Sequence, residues 1–499
     1  MKLPVRKRIF WDTLLIVIIN ICFIFSLDYK GTNGLCLATY FINGLVILTF
    51  MVNALRKSSF SIELVYWLFM YFFMFFSPLI QYTYGEFPWH HERFSNGILL
   101  AANLSVLVWN LIFALITNMK RINKKDENVV EMSAAENEEV EDVLIGKETE
   151  ETVNFQVSEL LCKGLAIFGI VLAAGYLIMN GVGVLGASRD TRADLFPASS
   201  SAIGTLVNKC LEAALTFSAT ISFYYAKQTK EKKYFILSLI AVAICLFPTS
   251  LARYMMVVVY GSILVTCFKP LKKGSLFFWG LILAFLIAFP ALNVFRYAEL
   301  GAVNIFETIA NIFKNFYEGY LEGHYDAYSM LCSIIKYINL HGITFGKQLL
   351  GCILFFVPRA IWPTKPIGSG AMVAEELGYS FANLSCPLIA EFVINFGYIG
   401  VVIGSVLFAV IARKSDDLYT SSKRGMFLEC FYPVGVMFLF FILRGDLMSS
   451  FSYFVAFFVV YYAGTKVNQY IIKRKEGNGK DERDEGINII NYWRNRILR

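Results

Sequence analysis

The chain has 499 residues, of which 57% are apolar, 16% aromatic and only 17% charged. A water-soluble globule of this size cannot bury so much apolar surface, so the composition excludes soluble enzymes and binding modules and indicates a polytopic membrane protein. The formal net charge of +7 sits largely in short segments beside apolar runs, which reads as membrane orientation and not as a nucleic-acid footprint.

Residues 1–8, MKLPVRKR, form a basic flank to the first apolar run. That run is long and no small-residue cleavage site follows it, so it is expected to be a retained membrane helix. Segments of about 20 apolar residues mark spans, and the sequence predicts twelve: 9–27, 35–54, 62–80, 97–116, 160–179, 206–226, the short pair 234–247 and 254–268, then 276–294, 388–412, 426–443 and 453–467. Lys and Arg in the N-terminus, at 56–57, in KQTKEKK (227–233), at 269–273 and at 413–424 fall on one side. That side is predicted to be the cytoplasm, with both termini in it. The expected fold class is an all-α polytopic integral membrane protein with a large late extracytoplasmic loop.

The chain is expected to divide into residues 1–119 (four spans), a disordered charged cytoplasmic linker at 120–154, spans five to nine at 155–295, a membrane-hugging extracytoplasmic loop at 296–387, the last three spans at 388–472, and a charged cytoplasmic tail at 473–499. Within the loop, the apolar residues of 305–316 recur at helical spacing, as in a helix lying on the outer leaflet, and 330–340 is expected to be another. The ten cysteines are scattered without CxxC or Cys/His spacing, so neither a metal site nor a cofactor is expected.

This topology places Arg253 (FPTSLARYMM), Arg296 (FPALNVFRYAE), Arg359 (FVPRAIWP) and Arg444 (FILRGDL) on the outer side, at or near the ends of apolar segments. One such arginine is accounted for by snorkelling or by helix capping. The set is better explained by convergence on an anionic ligand, because a guanidinium gives bidentate bonds to phosphate and keeps its charge. The stretch FVPRAIWPTKP (356–366) adds Lys365 and Trp362. Its prolines end the apolar run and stiffen the turn, while Trp362 suits the interface or a sugar face. His324 lies in YLEGHYDAY beside Glu322 and Asp326, and Glu391 begins a predicted span. Each of His324, Asp326 and Glu391 is a candidate base; Glu391 is equally readable as an ion-pairing group, with Gly397 and Gly400 admitting another helix. His90 and His91, with Trp89, read as an interfacial belt.

FVPRAIWPTKP, the following AEFVINFGYIG helix, the arginine of FPTSLARYMM and the RGD closing the penultimate span together resemble the Wzy-type polymerases of O-antigen and capsular polysaccharide repeat units. The resemblance covers the architecture of nearly the whole chain. It implies a metal-independent, inverting glycosyltransferase of the bacterial cytoplasmic membrane. Donor and acceptor would both be glycans on undecaprenyl diphosphate, in a membrane lipid setting, with a chain-length regulator and a flippase as partners and no nucleic acid. It further implies that Arg253, Arg296, Arg359, Lys365 and Arg444 hold the diphosphate, that Trp362 stacks on sugar, and that His324, Asp326 or Glu391 orients or deprotonates the acceptor hydroxyl. An O-antigen-ligase-like transferase and a lipid-linked oligosaccharide flippase are the competing readings; the long loop and the absence of internal repeats weigh against the flippase.

Overall fold

The computed structural model describes residues 5–119, 155–185, 195, 202–288, 314, 316–421 and 424–497. The expected linker at 120–154, Arg296 and nearly all of the 305–316 amphipathic segment lie outside the described residues. The described chain is all helical, 79% helix without strands, and eight of its helices are long and apolar enough to cross a membrane.

In chain order the main helices are α1 (Val5–Ser26), α2 (Gly34–Lys57), α3 (Ile62–Tyr84), α4 (Asn96–Asn118), α5 (Glu159–Asn180), α6 (Ala202–Thr229), α7 (Lys233–Cys245), α8 (Arg253–Cys267), α9 (Leu276–Ile287), α10 (Ala327–His341), α11 (Lys347–Ile353), α12 (Ser369–Glu376), α13 (Leu388–Thr420), α14 (Met426–Arg444) and α15 (Leu447–Ile497). Of the predicted spans, 206–226 falls within α6, and the short pair corresponds to the short apolar helices α7 and α8. The chain forms two compact units. The first comprises Met1–Thr152, Phe268–Lys423 and Gly435–Ser452; the second comprises Val153–Cys267, Arg424–Val434 and Tyr453–Arg499.

The core of the first unit is α3, nearly all of whose residues are buried. A helix apolar on every side belongs in such a position. Ser61 caps its N-terminus at Leu64 N, and the Asp416 carboxylate accepts from Ile62 N and Glu63 N at 2.9 and 3.1 Å. A π turn at Phe72–Phe76 widens the helix ahead of Pro78, which lacks an N–H, and Ser77 Oγ donates to Phe72 O at 2.7 Å. At its far end Gln81 Nε2 donates to Tyr320 O at 2.8 Å and Tyr325 O at 3.0 Å, fixing the turns that lead into α10.

Residues 330–340, expected on the leaflet surface, fall in α10, whose residues Ala327–Ile335 are all buried. Its polar side chains find partners inside: Tyr328 Oη donates to Asn103 Oδ1 at 2.8 Å and Ser329 Oγ to Pro88 O at 2.7 Å. In α13, Gly397 does not serve helix packing. Its backbone (φ 62°, ψ −149°) breaks the helix, so that Gly400 packs against Phe392 of the leading segment instead of a neighbouring helix.

In the second unit α5 packs on α6 and α7. Ser218 and Ser238 share a hydrogen bond at 2.8 Å, and Gly464 lets α15 lie directly on Phe217. Arg253 opens α8, and its neighbour Tyr254 packs edge-on to Tyr453, whose ring also carries the Lys209 ammonium at 4.3 Å.

Candidate functional site

The tripeptide Arg444–Gly445–Asp446 is a helix-to-helix turn. Arg444 closes α14, where a cation is favoured by the helix dipole. Gly445 passes so close to Phe441 that a methyl there would overlap its ring. Asp446 caps α15: its Oδ1 accepts from Met448 N at 3.0 Å and its carbonyl from Ser450 N at 3.0 Å. Burial holds the Asp446 carboxyl above its ordinary range, against the lowering effect of the backbone N–H groups it accepts from Gly370, Ser449, Met448 and Ser369.

Arg444 turns into the unit. Its Nη2 donates to Asp326 Oδ1 at 2.9 Å and to Gly323 O at 2.8 Å. Asp326 precedes α10 and is 1% exposed. The same Oδ1 accepts from Ser385 Oγ at 2.7 Å, and Oδ2 accepts from Trp89 Nε1 at 2.8 Å. Trp89 reaches it from a turn in which Trp89 (φ 68°) and His91 (φ 57°) both adopt left-handed backbone, a conformation that side-chain-bearing residues hold at a cost. A methyl at Gly323 would overlap the Trp89 ring, so glycine is required beneath it. The Nε of Arg444 is buried and has no hydrogen-bond partner among the described residues.

Glu391 sits beside this turn and is wholly buried. Its Oε1 accepts from Leu447 N at 3.0 Å, at the start of α15, and its Oε2 from Ser369 Oγ at 2.7 Å, at the start of α12. Asp446 Oδ2 accepts from Gly370 N at 3.2 Å. Two carboxylates thus serve two helix N-termini, the end of a helix that favours negative charge.

The stretch 356–366 folds back on itself. Arg359 Nη1 donates to Lys365 O at 2.8 Å, while Lys365 Nζ donates to Phe355 O and Val357 O at 2.6 and 3.0 Å. Burial, and then the neighbouring Arg359 charge, lower the Lys365 pKa. Trp362 Nε1 donates to Thr364 Oγ1 at 3.2 Å, and Pro366 closes over Gly351, where a methyl would overlap it. Arg359 is exposed.

Of the residues nominated from the sequence, Asp326 and Arg444 form one ion pair, and Glu391 joins them through the Asp446 turn. His324 is in the 3₁₀ turn Gly323–Tyr325, beside the carbonyl that Arg444 binds, with Nε2 3.7 Å from Glu322 Oε2. Arg359, Lys365 and Trp362 form their own turn. Arg253 belongs to the second unit and Arg296 lies outside the described residues. Trp89, Ser369, Ser385 and Asp446 were not nominated. The Gly-Ser-Gly run at 368–370 and the acidic end of RGD are the signals by which two of them are findable. Among the described residues no group of His, Cys, Asp or Glu side chains is arranged to hold a metal ion.

No protein-family model matches the chain, and no curated protein or solved structure does either.

Proposed function

We propose that this chain is a membrane glycosyltransferase that joins undecaprenyl-diphosphate-linked oligosaccharide repeat units into a surface polysaccharide. In this reading it crosses the bacterial cytoplasmic membrane twelve times, keeps both termini in the cytoplasm and works at the outer face. The observation that carries the proposal is the Arg444 guanidinium, held on one edge by the buried Asp326 while the side chain keeps 29% of its surface exposed. A fixed cation with a donor to spare suits a diphosphate oxygen.

The chemistry asks little more. The acceptor hydroxyl oxygen attacks the anomeric carbon, the bond to the diphosphate oxygen breaks with inversion, and the leaving group carries away the electron pair. Arg444 stabilises the charge that develops there, as a preorganised donor in a partly dry site. Arg359 and Lys365 supply further positive charge, and Trp362 a sugar face. The hydroxyl proton goes to His324, whose side chain is 33% exposed. Asp326 carries three donors at 1% exposure, and Glu391 is fully buried, so both act by positioning.

Purified protein in vesicles, given an undecaprenyl-diphosphate-linked oligosaccharide, is expected to produce a ladder of longer lipid-linked chains and release undecaprenyl diphosphate. Consumption of none of the substrate overturns the proposal. Translocation without lengthening identifies a flippase, and transfer only to a different acceptor identifies a ligase.

A further inference from the structure

Gly368, Ser369 and Gly370 run between two walls, both of which bear on Arg444. On one side a methyl at Gly368 would overlap the Asp446 carboxylate, Ser369 Oγ donates to Glu391 at 2.7 Å, and Gly370 N donates to Asp446 at 3.2 Å. On the other side a methyl at Gly370 would overlap the carbonyl oxygens of Leu384 and Ser385. Ser385 Oγ in turn donates at 2.7 Å to Asp326, the partner of Arg444. The second Glu391 oxygen accepts from Leu447 N at 3.0 Å, just beyond the same turn.

We infer that Gly368–Ser369–Gly370 is a keystone which, gripped by Glu391 and Asp446, fixes the loop of Arg359 and Lys365 in register with Arg444; the two carboxylates are positioning residues. The inference rests on the reading of these cations as the groups that address a lipid diphosphate. Chain length gives it force. Even an extended chain from Lys365 to Gly370 spans at most about 17 Å, and from Arg444 to Asp446 about 7 Å. The Arg359 guanidinium is itself tied to Lys365 O at 2.8 Å. With Gly370 held on Asp446 and Pro366 seated over Gly351, the loop cannot move from Arg444 without breaking these contacts. The two glycines also explain the sequence locally: a Cβ at Gly370 would meet backbone and one at Gly368 would displace the Asp446 carboxylate, whereas Ser369 supplies a hydroxyl that Glu391 accepts.

The test is hydrogen exchange on the full-length protein in detergent, read over 355–377, alongside transfer kinetics on undecaprenyl-diphosphate oligosaccharide. Asp446→Ala and Gly370→Ala are expected to speed exchange in 366–377 at least about tenfold while α4 and α10 keep their protection. They are also expected to lower kcat with little change in KM. Asp446→Asn, which keeps an oxygen for Gly370 N–H, is expected to recover part of both. If Gly370→Ala does not fold, Ser369→Ala and Asp446→Asn give the same comparison. Unchanged exchange in 366–377 overturns the keystone whatever the kinetics show. Faster exchange with full activity overturns the positioning role. A wild type inactive on lipid-linked glycans refutes the proposed function instead, and exchange still judges the keystone.

Discussion

Trp89 and Arg444 meet on a single carboxylate: the indole N–H donates to one oxygen of Asp326 at 2.8 Å and the guanidinium to the other at 2.9 Å. Asp326 is therefore a joint between a strained turn, the start of α10 and the end of α14. Its role follows from its partners more than from its acidity.

Asp326→Ala leaves the Trp89 N–H and the Ser385 hydroxyl without this acceptor and Arg444 Nη2 with Gly323 O but no carboxylate. Removing one partner of a buried ion pair costs about 3–5 kcal/mol. The low end is expected here because the Arg444 side chain is 29% exposed. Chemical or thermal unfolding in detergent reads the loss, and a variant as stable as wild type contradicts the joint.

Gly323→Ala forces a methyl into the Trp89 ring, an overpacking expected to cost about 1–3 kcal/mol. Trp89→Phe alone removes the hydrogen bond to buried Asp326, at about 1–3 kcal/mol. Because the two residues touch, the effects are expected not to add: Trp89→Ala should tolerate Gly323→Ala nearly without further loss. Additive effects in a double-mutant cycle would show that the ring does not lie over Gly323.

Stability should depend on pH through Asp446, which burial holds above the ordinary carboxylate range. A folded pKa above the unfolded value means that the folded state binds the proton more tightly. The contribution is then full below the unfolded pKa and lost as pH rises through the folded pKa. Asp446→Asn is expected to flatten the fall in unfolding temperature that sets in as pH rises above the ordinary carboxylate range. A variant with the wild-type slope contradicts this.

His324→Ala is expected to lower the transfer rate by about a hundredfold or more, the usual worth of a general base, without changing the unfolding temperature. The side chain is 33% exposed and lies 3.7 Å from Glu322, a separation at which a partly exposed pair adds little stability. Wild-type rates in the variant would move the base elsewhere.

Hydropathy made the long apolar helices legible, charges at the ends of apolar segments pointed to Arg444 and Glu391, and Asp326 stood out only as the acidic neighbour of His324. Their partnership was not legible, because Arg444 and Asp326 are 118 residues apart in sequence and Trp89 and Asp326 are 237 apart. Trp89 resembled an interfacial tryptophan because nothing local shows where its N–H goes. Residues 330–340 have an apolar pattern equally suited to a leaflet surface and to the core, and only the burial of 330–335 decides for the core over that half. Gly397 likewise looked like a packing glycine, although the chain uses its backbone freedom to break α13.

The most direct measurement is the product ladder made by the purified Arg444→Lys protein from undecaprenyl-diphosphate oligosaccharide. Lysine keeps the charge beside Asp326 but loses the planar fork that would reach a diphosphate oxygen. The expected result is a folded protein of near wild-type stability whose kcat falls by about 10²–10³, the usual cost of one donor to developing charge. A ladder formed at the wild-type rate contradicts the assignment of Arg444 to the leaving diphosphate.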